Sequence, residues 1–282
     1  MDNLEAVVDF VQGVLGTVTG LQPFPGEHSH SQVIRVQSER SGNAFLKFHR
    51  TDKSFRQELG FYRKFAPKLP QVPRLLGTME KERALLLSAL EGAPCRTMLL
   101  ADRGHFHHMA GKFLRTLHQL PAEDDDIEVH LALHKRLEAF EQRARPVFGE
   151  DTLSSFVAPL KQLLSAPPTL TRVPCHRDFL EHNWLTSGSE DFKVVDFEHF
   201  KLDYFLLDLC QMKARAWASE PGLAKAFFQG YGKRLNDWEA QFLQYWSLLW
   251  AYSTVLWSRD HGDKKYQKIG QKAIHFLSRG IA

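Results

Sequence analysis

The stretch that most constrains this chain runs from Cys175 to Cys210, CHRDFLEHNWLTSGSEDFKVVDFEHFKLDYFLLDLC. It opens with His176-x-Asp178-x-x-x-x-Asn183, an acid followed five residues later by an amide. An apolar, strand-like run from Phe192 to Phe197 then carries Asp196, with Glu198 two residues on. Turn chemistry accounts for Asp178 and Asn183 but not for an acid inside an apolar run, since charged side chains are rarely buried without a partner. Phosphoryl transfer from ATP needs a carboxylate near the accepting hydroxyl and oxygen ligands for Mg²⁺. In that chemistry Asp178 is the candidate base, and Asn183 and Asp196 are the candidate metal ligands. Mg²⁺ keeps several of its waters, so one carboxylate, one amide oxygen and the nucleotide phosphates suffice to hold it.

A second feature lies upstream. Ala44-Phe45-Leu46-Lys47-Phe48 follows Ser41-Gly42-Asn43, a hairpin-turn composition, and embeds a lysine in an apolar strand. Such a lysine is costly unless its ammonium meets an anion, or unless the strand lies at an edge and the side chain points to water. The α/β-phosphates of ATP and a helix carboxylate would supply the anion. Phe55, Leu59, Tyr62 and Phe65 form the stripe of a helix predicted over 53–66, and Glu58 beside that stripe is the acid to pair with Lys47. Before it, two strands are expected within 21–36 around the turn Pro25 to Ser31. A loop holding Gly26 and Ser29 can fold over phosphates, or it is an ordinary turn. Glu27, His28 and His30 have no matching ligands downstream, so solvent exposure is expected for them. Strand, turn and strand follow from Val72 to Leu90, and Glu91-Gly92-Ala93-Pro94 breaks the second strand.

The segment from His176 to Leu209 resembles the catalytic segment of the aminoglycoside phosphotransferase family, the group that also holds choline and fructosamine kinases. The family form is His-Gly-Asp-x-x-x-x-Asn, a short hairpin, hydrophobic-hydrophobic-Asp-[Trp/Phe]-[Glu/Asp], and then Asp-Leu. Here Arg177 replaces the glycine, Asp196-Phe197-Glu198 keeps the small-molecule form, and Asp208-Leu209 is the trailing pair, whose Asp resembles a residue that braces the catalytic loop. The family's Gly-x-x-Ser-Asn aligns Gly26 and Ser29, with His30 in place of the Asn.

This resemblance implies an α+β, bilobal protein-kinase-like fold: a small N-terminal antiparallel β lobe with one helix, and a larger, mainly helical C-terminal lobe. Residues 1–90 would form the nucleotide-binding lobe and 91–282 the catalytic and substrate-binding lobe, with Ser88 to Gly92 as the hinge, Ser88 and Leu90 included, whose backbone contacts adenine. Ser29 and Lys47 would serve the phosphates, and Glu198 would assist a second metal site or face the acceptor. ATP and Mg²⁺ are the implied cofactors. The partner is a small-molecule hydroxyl acceptor: an aminoglycoside or other antibiotic or natural product, an amino alcohol or a sugar. No Ala-Pro-Glu follows Asp196, which argues against a protein kinase. A catalytically silent nucleotide-binding module is the other alternative, and the intact set of Lys47, Asp178, Asn183 and Asp196 argues against it.

Composition bounds the rest. Thirty-six Lys and Arg against 33 Asp and Glu give a net charge of only +3, with no long basic block for a nucleic-acid partner. Three widely spaced cysteines imply no disulfide framework. The acidic N-terminus lacks a signal-peptide layout, and no apolar run reaches membrane length, so a cytoplasmic enzyme, monomer or homodimer, is expected without a membrane partner. An N-terminal packing helix is predicted over 4–15. Past the hinge the pattern turns helical, over 108–120, 131–147, 153–164, 213–219, 223–231, 238–257 and 269–277. His105, His107 and His108 read as surface or capping residues ahead of the first of these. Glu123 to Asp126 reads as a solvated loop, or as an acidic rim for a cationic substrate. The aromatic-rich run Trp246 to Trp257 reads as core, or in part as the wall of an acceptor pocket.

Overall fold

Period-two alternation gives way to helical periodicity along this chain, and the computed structural model follows that order. It describes residues 4–24, 31–39, 42–97, 102–122 and 128–279. The first elements are α1 (Leu4–Leu15), β1 (Val18–Phe24), β2 (Ser31–Ser38), β3 (Gly42–His49) and α2 (Asp52–Lys64). β4 (Leu75–Met79), β5 (Ala84–Ser88) and the short β6 (Ala93–Pro94) come next. Helices α3 (Arg103–His118), α4 (Val129–Phe148) and α5 (Glu150–Ser165) lead to β7 (Arg172–Cys175), β8 (Trp184–Gly188), β9 (Asp191–Val194) and β10 (Lys201–Tyr204). The chain ends on α6 (Cys210–Met212), a π-helical turn over Lys213–Trp217, α7 (Pro221–Tyr231), α8 (Asp237–His261) and α9 (Lys264–Ser278). Gly26, Ser29 and His30 of the predicted phosphate loop, and the acidic run Glu123 to Asp126, lie outside the described residues.

Two units emerge: residues 1–97 with 182–200, and residues 98–181 with 201–282. The first is discontinuous, where the sequence suggests a single break near residue 90. Asn183, Asp196 and Glu198 therefore belong with the strands of the N-terminal half. The antiparallel pairing of β6 with β8, Ala93 opposite Thr186, draws that later segment in.

In this unit a five-stranded antiparallel sheet has the order β1-β2-β3-β5-β4. One face takes the apolar stripe of α1: Val7, Val11 and Leu15 pack with Val36, Ala44, Leu46 and Leu86. The other helix, α2, starts at Thr51, whose hydroxyl accepts from the Ser54 N–H, a cap worth about 1 kcal/mol. Lys47 sits in the central strand, with Val33 on one side and Leu85 on the other. Its strand is not an edge.

In the second unit β7 and β10 pair antiparallel beside the helices. α8 opens on a capping box, with Asn236 and Glu239 each accepting from the other's backbone N–H, and closes on Gly262 at φ +68. It buries Phe242, Leu243, Trp246, Leu248 and Val255, as a core helix should. α3 begins five residues before its predicted start, so His105, His107 and His108 lie inside it rather than ahead of it. His107 is buried and is neither a surface nor a capping residue: its Nε2 lies 2.9 Å from Glu181 Oε1, and its Nδ1 accepts from Trp217 Nε1 at 3.2 Å. Among the described residues no helix is long and apolar enough to cross a membrane.

Where α3 meets α7, glycines make the approach possible. A Cβ on Gly230 would stand 1.9 Å from the His108 carbonyl oxygen, and one on Gly111 would stand 2.2 Å from that of Phe227. Both obstacles are backbone and cannot rotate away. Gly230→Ala is therefore expected to destabilise the protein by about 3 kcal/mol, the upper range for overpacking. Urea denaturation checks this, and an unchanged midpoint would contradict the crossing described.

Candidate active site

Strand alternation aims Lys47 and His49 at the same face of β3, since residues two apart share a side. Lys47 Nζ lies 2.6 Å from Asp196 Oδ1, 2.7 Å from Glu58 Oε2 and 3.3 Å from Glu198 Oε2. Burial alone would lower the lysine's pKa. The carboxylates of Asp196, Glu58 and Glu198 outweigh it and raise the value well above the usual range. Glu58 shows the mirror image: burial pushes its carboxyl up, but Lys47 and His49 bring it down to about 2. Its Oε2 also meets His49 Nε2 at 2.6 Å, and its Oε1 accepts from the Phe197 N–H at 3.1 Å. Glu58 is thus the helix acid expected beside Lys47, and it ties α2 to the Asp196 segment.

Asp196 and Asn183 flank the two ends of one hairpin. Trp184 pairs with Val194 across β8 and β9, and the Val195 N–H donates to the Asn183 carbonyl at 3.0 Å. Asp196 adopts φ +68, a left-handed conformation that Asp tolerates better than most residues. Its side chain remains 39% exposed while its Oδ1 meets Lys47. Phe197 then stacks flat on Phe61 of α2, ring centroids 3.6 Å apart, which locks the turn. Glu198 Oε2 accepts from Ser31 Oγ at 2.7 Å. Burial would raise the pKa of Glu198, but Lys47 and that hydrogen bond hold it down.

Three carboxylates thus face one ammonium, with an imidazole bonded to one of them. The surplus of hard oxygen donors fits a hard divalent cation such as Mg²⁺. At the end of β5, the Arg74 N–H donates to Ser88 Oγ at 2.9 Å, and Ser88 N–H donates to the Arg74 carbonyl at 2.9 Å. Leu90 follows, half-buried and outside any strand.

The second unit holds Asp178. Its backbone N–H donates to His176 Nδ1 at 3.3 Å, so this fully buried imidazole supports the loop. Asp208 fixes the same loop from the side. Its Oδ2 accepts from His176 N–H at 2.8 Å and its Oδ1 from Arg177 N–H at 2.6 Å, while His118 Nε2 approaches Oδ2 at 3.1 Å. Burial would raise the Asp208 carboxyl, but His118, His176 and the Arg177 amide keep it below the usual range.

Arg177 takes φ +69, which explains why glycine is the ordinary choice at this position. Its carbonyl accepts from Gln211 Nε2 at 3.0 Å, and its Nε lies 3.8 Å from Asp203 Oδ2. Arg177→Gly is expected to raise stability by about 0.5–1 kcal/mol through relief of backbone strain, whereas Arg177→Val is expected to lower it by more than about 1 kcal/mol. Thermal melts decide, and equal effects of the two changes would contradict the strain.

His49 and Ser31 were not singled out by the sequence, yet both join the Lys47 group. They face each other across β2 and β3, and Ser31–His49 is the last pair of that register.

Comparison with known proteins agrees with this architecture. The model of a phosphotransferase enzyme family matches residues 20–241. No curated protein sequence matches the chain. Among solved structures, the chain is similar to a spectinomycin phosphotransferase in complex with ADP and spectinomycin, at 15% identity, covering 96% of this chain and 98% of that one, TM-score 0.64. It is similar to an aminoglycoside phosphotransferase in complex with GDP and kanamycin, at 12% identity, 98% and 99% coverage and TM-score 0.73. It is also similar to an ethanolamine kinase from Plasmodium vivax, at 13% identity, 99% and 86% coverage and TM-score 0.68. At these identities the likeness is one of fold, and that fold is kinase-like.

Proposed function

Since the chain belongs to the phosphotransferase enzyme family, whose members are small-molecule kinases, we propose that its reaction moves the γ-phosphate of ATP to a hydroxyl of a small molecule. The observation that carries this reading is the buried ammonium of Lys47 among Asp196, Glu58 and Glu198. A lysine fixed by a helix carboxylate is pre-aimed, so little order has to be gained when the α/β-phosphates arrive.

In this reading Glu58 holds Lys47 in place and Lys47 orients the phosphates. Asn183 and Asp196, with Glu198, are the residues that would hold Mg²⁺, which when bound offsets charge on the phosphate oxygens. Asp178 positions the accepting hydroxyl and takes its proton. With a loose transition state, most of that work is alignment rather than strong base chemistry. Ser88 and Leu90 present backbone groups to the nucleobase, and Ser29 serves the phosphates.

The acceptor we favour is an aminoglycoside or other antibiotic, an amino alcohol or a sugar. Spectinomycin and kanamycin in two of the similar structures, and the third being an ethanolamine kinase, support that range. ADP and GDP in two of them make ATP and GTP both worth testing. A panel of such acceptors, scored by nucleotide consumption and followed by identification of the phosphorylated atom, should find one that consumes nucleotide in a stoichiometric, Mg²⁺-dependent way. Failure of both Mg²⁺–ATP and Mg²⁺–GTP to raise the melting temperature of the protein would sink the reading at its first step.

A further inference from the structure

Lys213 has no place in the chemistry above, and its surroundings are unusual. It opens the π-helical turn Lys213–Trp217, in which the Ala218 N–H donates to the Lys213 carbonyl five residues back at 2.9 Å. Such turns often mark functional positions, because they displace side chains that a regular helix would hold in register. Lys213 lines a cavity of about 330 Å³ whose walls include Trp217, Phe228 of α7, Leu243 and Gln244 of α8, and Phe276 of α9. That volume lies in the range of small-molecule sites. Asp178 and Lys47 are not among its lining residues.

The charge in this cavity is the odd part. Among the described residues the Lys213 ammonium has no hydrogen bond or ion pair, and no carboxylate lines the cavity with it. A surface lysine extends its ammonium into water. Here burial lowers the pKa, with only Cys210 acting weakly the other way. A cation partly withdrawn from water beside apolar walls is stabilised by an anion that brings its own apolar body. One cation, with the wall donors Gln244 Nε2 and Trp217 Nε1 already engaged by the Leu277 carbonyl and His107 Nδ1, matches a monoanion; a phosphate dianion calls for more.

We propose that this cavity is a second ligand site, taking a small molecule with an apolar body and a single carboxylate that pairs with Lys213. The site does not depend on the kinase reading, and it is read by binding alone. Calorimetry with sodium octanoate should show saturable binding at one site per chain. Octanamide, which keeps the body and removes the charge, should bind at least tenfold more weakly.

Lys213→Met should lose at least tenfold in octanoate affinity and leave octanamide binding unchanged. Ala224→Phe, which fills the wall on α7, should lose both. Absence of saturable octanoate binding would overturn the proposal, as would equal affinity for the amide, or octanoate binding that survives Lys213→Met undiminished. The octanoate–octanamide comparison on the parent protein reads the outcome even if neither variant folds.

Discussion

Replacing Lys47 by methionine is expected to cut phosphoryl transfer by about 10²–10³-fold, the usual cost of losing one preorganised electrostatic contact in an active site. The same change should destabilise the fold by about 3–5 kcal/mol, because removing one member of a buried ion cluster strands the others. Methionine keeps the length and apolar stem, so the loss isolates the ammonium. Glu58, fully buried, would then face Asp196 and Glu198 with only His49 and the Phe197 N–H for support.

The acid behaviour follows with its sign. Glu58 is held from the ordinary 4.5 down to about 2, so the stability it contributes is complete above 4.5 and is lost as pH falls toward 2. The variant keeps the part that His49 supplies and lacks the part that Lys47 supplies, so the stability gap between the two proteins should narrow as the pH drops below 4.5. Urea titrations at neutral and acid pH measure it. A gap that stayed constant, or transfer within a few-fold of the parent, would remove Lys47 from the role assigned to it.

Asp178→Asn should lower transfer by about 10²–10⁴-fold, the range for a general base, while nucleotide affinity changes only a few-fold. The amide matches the carboxylate in shape. The backbone supports of the loop are kept, because His176 Nδ1 accepts from the Asp178 N–H and Asp208 from the N–H groups of His176 and Arg177. Product formation with the acceptor found in the panel, beside nucleotide binding by calorimetry, separates the possibilities. Full turnover in the variant would end the role of Asp178. A parent protein that binds ATP yet turns over no acceptor, with a variant that behaves identically, would make the chain a silent nucleotide-binding module.

Much of the Lys47 group was legible because its signals are local. A lysine in an alternating apolar strand, an acid beside the stripe of a short amphipathic helix, and an acid in an apolar run each announce a buried charge needing company. His49 was equally available by the same alternation, two positions from Lys47 on one face, but at a strand's end a histidine reads as solvated. His107 was misplaced because Arg103-Gly104-His105 carries no apolar stripe. The helix extends through it because Glu181 and Trp217, distant in sequence, receive its imidazole.

The discontinuous first unit had no local signal at all. It rests on β6 pairing with β8, some ninety residues apart by the register of Ala93 and Thr186. The regular helix predicted over 213–219 is instead π-helical across Lys213–Trp217. No periodicity foretells one extra residue in a turn.

That discontinuity bears on how the protein is made. A ribosome that has delivered the first hundred residues has delivered Lys47 and Glu58 but neither Asp196 nor Glu198, and not the strand that partners β6. Until synthesis has passed residue 198, the Lys47 ammonium has only Glu58 of its three carboxylate partners. A fragment truncated at 97 lacks Asp196, Glu198 and the strand that pairs with β6, so it is expected to be less stable alone than within the whole unit and more prone to aggregation.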